Sequence, residues 1–217
     1  MWSRSLPRVL INREELLLSL CRNKKVLHLG CVDYPITEEQ IKDNRFLHTK
    51  IMAIARDVVG VDIDKEGITL LSKLGIDNII QADVENLEGL NISIFDVIVA
   101  GEIMEHLKNP GLFLKTIKKY MDSNTLLVIS VPNAFCLRRF LRIPFGCEKV
   151  HPEHFYYFSH VTLSRLLESC GYSILTRSSY FFEDNCISLA GIIERVASLI
   201  SPNLCEGLVY IAKKNTY

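Results

Sequence analysis

Charge of either sign is not in excess in this chain. Lysine plus arginine and aspartate plus glutamate number 25 each, so the formal net charge is zero. Without a global field the protein does not collect nucleic acid or anionic membrane by bulk attraction, and any anionic partner must be met by a local patch. No stretch approaches the roughly 18 consecutive apolar residues of a spanning helix, and Met1 to Pro7 lacks the apolar run of a signal peptide. The expectation is a soluble protein with no stable membrane insertion and no nucleic-acid partner. The seven cysteines, Cys21, Cys31, Cys136, Cys147, Cys170, Cys186 and Cys205, are odd in number, scattered, and never spaced as C-x-x-C. That excludes a disulfide framework or a zinc ribbon and favours a reduced, cytoplasmic setting. Internal repeats, low-complexity tracts and linkers are also missing, so residues 1–217 are read as a single domain.

Apolar residues make up 48% of the chain and charged residues 23%, enough for one sizeable core. Short apolar runs recur at 26–30, 58–61, 78–82, 95–100, 126–131, 172–180 and 207–212. Segments with helical spacing separate most of them. Seven strand candidates alternating with helices imply an α/β fold with a mostly parallel sheet covered on both faces. Helix punctuation supports this: Asn12 with Glu15, and Thr37 with Gln40, read as capping boxes, and Asn109-Pro110 as an N-cap with proline at the first helical position. Gly75 and Gly171 close helices. Residues 1–23 form a helical extension before the first core strand, and 134–160 and 181–206 read as acceptor-site or lid insertions.

In an open parallel sheet, ligands bind beyond the carboxyl ends of the strands, where the strand order reverses. The first core strand runs into Gly30-Cys31-Val-Asp-Tyr34, where Gly30 lets backbone approach a ligand closely. The second ends Gly60-Val-Asp62-Ile63, and a carboxylate there accepts from both hydroxyls of a ribose. The third ends Ala82-Asp83-Val84, offering a second carboxylate to an exocyclic amine, with Val84 against a base. The fourth enters Gly101-Glu102-Ile-Met-Glu105-His106 and the fifth Ser130-Val-Pro-Asn133.

This succession resembles the class I S-adenosylmethionine-dependent methyltransferases, closest to the branch with the ubiquinone-pathway O-methyltransferases and many sugar-modifying ones. The resemblance spans roughly residues 24 to 180 and rests on order and spacing. It implies a Rossmann-like, doubly wound seven-stranded sheet with an antiparallel last strand and helices on both faces. It also implies S-adenosylmethionine as cofactor, held at Gly30, Cys31, Asp62, Ile63, Asp83, Val84, Gly101 and Glu102. Two positions depart from the family pattern: His28 stands where an acidic residue is usual, and Val32 where a second glycine is. The segment between Gly30 and Asp62 is also longer than the roughly 20 residues usual in dinucleotide-binding units. Residues 34–45 account for the excess and read as a small added helix.

Methyl transfer from a sulfonium needs alignment and exclusion of water, and a general base only when the acceptor is a hydroxyl. His154, in His151-Pro-Glu-His154-Phe-Tyr-Tyr-Phe158, is read as that base, and His106 as a second catalytic candidate. The alternative for His154 is a hydrogen bond to a loop carbonyl. Glu102, Glu105 and His106, at i, i+3 and i+4, share one face of a helical turn. Ubiquinone-type relatives link a matching stretch to a divalent metal; alternatively Glu105 and His106 only cap and solvate the turn. Arg138, Arg139 and Arg142 either grip an acceptor phosphate or are the solvated face of a lid helix. Residues 187–200, apolar around most of a helix, suit a packed helix, a lid or a homodimer contact.

The function expected is O-methylation of a small-molecule hydroxyl on a sugar, nucleotide sugar or quinone-like acceptor. A nicotinamide-dependent oxidoreductase would need a G-x-G-x-x-G turn, of which only Gly30 remains, and the Tyr210-x-x-x-Lys214 match lies on the last strand. A non-catalytic S-adenosylmethionine binder is the other alternative.

Overall fold

The computed structural model of the protein describes residues 9–87, 90, 93–148, 150–181 and 189–215. Residues of the expected termini and lids that fall at 1–8, 149, 182–188 and 216–217, Cys186 and Ile187 among them, lie outside the described residues.

All seven expected strands form. They are β2 (Lys25–Leu29), β3 (Asp57–Asp62), β4 (Ile79–Gln81), β5 (Val97–Gly101), β6 (Leu126–Pro132), β7 (Tyr172–Tyr180) and β8 (Gly207–Lys214). A two-residue edge strand, β1 (Val9–Leu10), is additional to the expected seven and pairs in parallel with Ser178 and Ser179 of β7. The sheet order is β1-β7-β8-β6-β5-β2-β3-β4. Only β8 runs antiparallel, inserted between β6 and β7. From β2 the chain steps outward through β3 to β4, then returns to place β5 on the other side of β2. The strand order therefore reverses between β2 and β5, and that is where a doubly wound sheet opens a crevice at its carboxyl edge.

The period of two along each strand sorts the core into two layers. Leu27, Leu29, Ile98, Ala100, Leu127 and Ile129 face one side, against Phe113, Leu114 and Ile117 of α5 (Pro110–Ile117) and Leu163 and Leu167 of α7 (His160–Ser169). Their neighbours Val26, Val97, Val99 and Val128 face the other side, against Leu17 and Cys21 of α1 (Arg13–Cys21) and Ile51 of α3 (Leu47–Ile54). Each fully buried aliphatic side chain contributes about 1.5–3 kcal/mol. Two such layers make a core that residues of alternating parity on the same strands build together.

The helix starts follow the sequence punctuation at Asn12 and Asn109 but not at Thr37. The side chain of Asn12 accepts from the Glu15 amide, and that of Asn109 from the Leu112 amide with Pro110 in the first turn. Asp64 caps α4 (Lys65–Lys73) through the Gly67 amide. Thr37 is the correction: it is the first residue of α2 (Thr37–Lys42) rather than its cap, and its buried hydroxyl has no hydrogen-bond partner. The cap position falls on Ile36, whose side chain cannot accept a hydrogen bond.

Where the family pattern has an acidic residue, His28 is buried beneath the sheet edge and meets His48 of α3, with their Nδ1 atoms 3.1 Å apart. His48 Nε2 reaches Asn78 Oδ1 at 3.3 Å. Gly60 makes room for this pair, since a Cβ there would stand 3.0 Å from the His48 ring. Burial lowers the basicity of both rings, and for His28 the neighbouring His48 and Arg13 push the same way. Both are neutral in the folded protein at pH 7, while in the unfolded chain they take up protons below about pH 6.5. Stability is thus fully present above that pH and is lost as pH falls, at up to about 1.4 kcal/mol per pH unit for each ring. The expected signature is a pair of histidine NMR resonances whose titration is displaced below the ordinary imidazole range while denaturation midpoints decline; two rings titrating normally near 6.5 would contradict it.

Candidate active site

The carboxyl edge of β2 to β5 is built by residues that close on one another across long sequence separations. Asp62 ends β3 with both carboxylate oxygens engaged: Oδ2 accepts from the Val32 amide at 2.8 Å and Oδ1 from the Asp64 amide at 3.0 Å. The first of these bonds ties the loop after β2 to the end of β3. It replaces the tight glycine turn that Val32 makes unattainable. Each oxygen retains a second lone pair, and burial raises the carboxyl's pKa from its ordinary value. Beside it, Ile63 is 66% exposed, a flat apolar surface at the rim. Asp83 is exposed and accepts from the Glu85 amide, and Val84 is buried in the core.

Gly30 has φ +63°, a conformation that favours glycine, and a Cβ there would stand 2.6 Å from Ile103 Cδ1. The neighbouring Cys31 turns its buried sulfur toward Gly60, so only its backbone faces the edge. Burial and the adjacent Asp62 raise the thiol's pKa far above its ordinary value, and Cys31 is no nucleophile.

At the end of β5, Glu102 adopts φ +52°. For a residue that is neither glycine nor asparagine this costs on the order of 1 kcal/mol, and such strain collects at functional positions. The turn that follows, Met104–His106, is a short 3-10 turn and not an α-helical one. Glu102, Glu105 and His106 therefore do not share a face. Glu102 accepts a hydrogen bond from the Tyr180 hydroxyl, and Glu105 is 1% exposed with Oε2 lacking a partner among the described residues. Burial and the charge of Glu102 hold the Glu105 carboxyl well above the usual carboxylate range, against the pull of Arg13 and Arg139.

Arg13, the first residue of α1, lies among these groups. Its Nε donates to Ser130 Oγ at 2.9 Å, its guanidinium lies 5.7 Å from the Tyr180 ring centre, and a Cβ at Gly101 would collide with it. Gly101 thus keeps the space that the arginine fills. The sequence identifies Arg13 only as the start of a capped helix, and nothing local to it signals a role 117 residues away in Ser130's surroundings.

His106 meets the loop after residue 150. The amides of Phe155 and Tyr156 donate to the Glu105 carbonyl at 2.8 and 3.3 Å, which presses that loop onto the turn. His106, His151 and His154 come together there, their rings 4.6 to 5.7 Å apart centre to centre. Crowding by the other two rings and by Arg139, added to burial, lowers His154 to about 4. The three arginines split: Arg138 pairs with buried Glu206, Arg139 bonds the Asn133 carbonyl at 3.3 Å and lies over the Tyr157 ring, and Arg142 is exposed. Asn133 itself is structural, donating to the carbonyls of Asn203 and Cys205.

Residues 4–177 match the family model described as a methyltransferase domain, which is most of the chain. The chain belongs to this methyltransferase family. No curated protein matches the sequence significantly. Among solved structures, this methyltransferase is similar to a SAM-dependent methyltransferase from Archaeoglobus fulgidus, with a TM-score of 0.59 at 20% identity, covering 93% of this chain and 94% of that one. A SAM-dependent methyltransferase from Mesorhizobium loti gives 0.58 at 16%, covering 93% and 95%. The magnesium protoporphyrin IX methyltransferase of Synechocystis, with bound SAH, gives 0.59 at 12%, covering 93% and 82%. Identities this low establish the shared fold.

Proposed function

We propose that the protein transfers the methyl group of S-adenosylmethionine to a hydroxyl of a small-molecule acceptor, a sugar, nucleotide sugar or quinone-like compound. The observation that carries this reading is the gathering of polar groups at the carboxyl ends of neighbouring strands. Asp62 ends β3, Arg13 donates to Ser130 near the end of β6, and Glu102 follows β5 just ahead of the turn where three imidazoles meet.

On the donor side, the lone pairs left on Asp62 take the ribose hydroxyls, Asp83 accepts from the adenine amine, and exposed Ile63 with Val84 packs on the base. Gly30 and Cys31 offer backbone, and Gly101, Glu102 and Arg13 receive the methionine end, with Arg13 suited to its carboxylate. The bound sulfonium supplies an activated methyl group. On the acceptor side, His154 and His106 take the hydroxyl proton, and residues 134–160 and 181–206 shape the acceptor's surroundings. The zero net charge supports a small molecule over nucleic acid. Cys21, Cys31, Cys147 and Cys170 carry free thiols, in keeping with a cytoplasmic setting, and Ile192, Ile193, Val196 and Ile200, exposed on α8 (Leu189–Ile200), support pairing of two copies.

The test combines calorimetry with S-adenosylhomocysteine and label transfer from S-adenosylmethionine to a hydroxyl-acceptor panel. His154→Ala is expected to keep product binding while turnover drops about 100-fold. Wild-type protein that binds no cofactor, or label found only on nitrogen or carbon, would refute the reading.

A further inference from the structure

We propose that His106, His151 and His154 form a binding site for one divalent transition-metal ion of the zinc class. One ligand nitrogen from each ring lies within 4.8 Å of the other two. A tetrahedral zinc with bonds of about 2.0–2.1 Å sets its ligand nitrogens roughly 3.4 Å apart, so each ring moves toward the centre by about an ångström or less. Rotation about two side-chain torsions supplies that. Three imidazoles with no carboxylate among them select zinc and the later first-row metals, not magnesium or calcium, which demand oxygen.

Two independent features of the surroundings point the same way. The Nδ1 of His154 is shut off from solvent and has no hydrogen-bond partner among the described residues, a condition that buried polar atoms rarely tolerate. An ion at the cluster, or a hydrogen bond remade as the rings close on it, removes that cost. The carboxylate of Glu153 lies 3.8 Å from His106 Nδ1, where it can orient the ring. The frame is also set without an ion: two amides of the 150–158 loop are bonded to the Glu105 carbonyl, and the Tyr156 hydroxyl donates to the Lys108 carbonyl at 3.0 Å. His151 and His154 thus reach His106 from a loop already docked.

The ligand set differs from one drawn from Glu102, Glu105 and His106. Glu102 is bonded to Tyr180 and Glu105 is buried toward Arg13 and Arg139, so neither carboxylate belongs to the imidazole cluster. A zinc-class ion there presents an open position on the acceptor side and lowers the pKa of a hydroxyl that binds it, so His154 serves as a ligand where the metal-free reading makes it the base. That catalytic consequence rests on the proposed function; the binding of the ion does not.

The test therefore uses neither donor nor acceptor. Full-length protein freed of any affinity tag and dialysed against chelator is titrated with zinc in competition with a chromophoric chelator, and with cobalt(II) followed by visible absorption. One equivalent per chain is expected, with a four-coordinate cobalt spectrum. His151→Ala, at an exposed position that leaves the core intact, is expected to weaken binding by at least about tenfold, and His106→Ala with His154→Ala to abolish it. No stoichiometric binding, binding unchanged in His151→Ala, or binding lost in Glu102→Gln, which would assign the ion to the carboxylates, overturns the proposal. Zinc bound in a protein that transfers no methyl group would refute the proposed function and leave the metal site standing.

Discussion

Replacing Asp62 with alanine is expected to weaken S-adenosylmethionine binding by about 100-fold or more. A hydrogen bond to a charged acceptor contributes about 1.5–3 kcal/mol, and each 1.4 kcal/mol is a factor of ten, so the ribose contact alone accounts for roughly 10- to 150-fold. The substitution also releases the Val32 amide, and with it the loop that begins at Gly30. Asparagine does not rescue: its amide offers a donor where one of the Val32 and Asp64 amides needs an acceptor. Both variants should therefore fail alike, in contrast to a site where only the volume of Asp62 mattered. Calorimetry with S-adenosylmethionine checks the prediction, and a thermal melt separates lost binding from lost folding. Affinity unchanged in either variant would remove Asp62 from the cofactor site.

Arg13→Ala should lower kcat/KM for the donor by about 100-fold, mainly through KM. The side chain is half-buried, so the 3–5 kcal/mol lost on breaking a fully buried ion pair is an upper bound, and about 2–3 kcal/mol is expected after solvent screening. Its removal takes away a cation whose charge reaches Glu105 and the donor to Ser130. Lysine should recover only part of the loss, since it keeps the charge but lacks the fixed fork that bonds Ser130 through Nε and leaves two terminal nitrogens for a carboxylate. Steady-state kinetics with varied donor checks it; an unchanged KM in Arg13→Ala would confine the residue to a packing role.

The central strands were legible in the sequence because they are buried on both faces and read as apolar runs, Val26 to Leu29 and Leu126 to Val131, broken only by His28 and Ser130. The carboxylates at their ends were legible for the same reason, since a strand's end fixes where the next residue stands. What depends on the path of a connection was not. The Glu102 to His106 spacing suggests a shared helical face, but a left-handed residue followed by a 3-10 turn gives Glu102 to Tyr180, buries Glu105 and brings His106 to His151 and His154. The meeting of His106 with His151 and His154 depends on main-chain bonds from Phe155 and Tyr156 to the Glu105 carbonyl, which carry no side-chain signature. Arg13 reaches the site from before the first core strand, where no strand end points to it. Thr37 shows the converse error, a capping pattern that local spacing favours and the chain path moves by one residue.

The placement of β8 has a consequence for when the site comes into being. Tyr180 is held opposite Gly207, at a position where any Cβ would strike its ring, and only so aligned does its hydroxyl reach Glu102. During synthesis β2 to β6 emerge first and can assemble their half of the sheet, but β7 has no partner linking it to β6 until residues 207–214 are made. The donor side of the crevice is therefore completed only after residues 207–214 have been translated. A nascent chain has the strands that shape the crevice well before it has the hydrogen bond that holds Glu102, so cofactor binding is expected to coincide with the end of folding and not to guide its early steps.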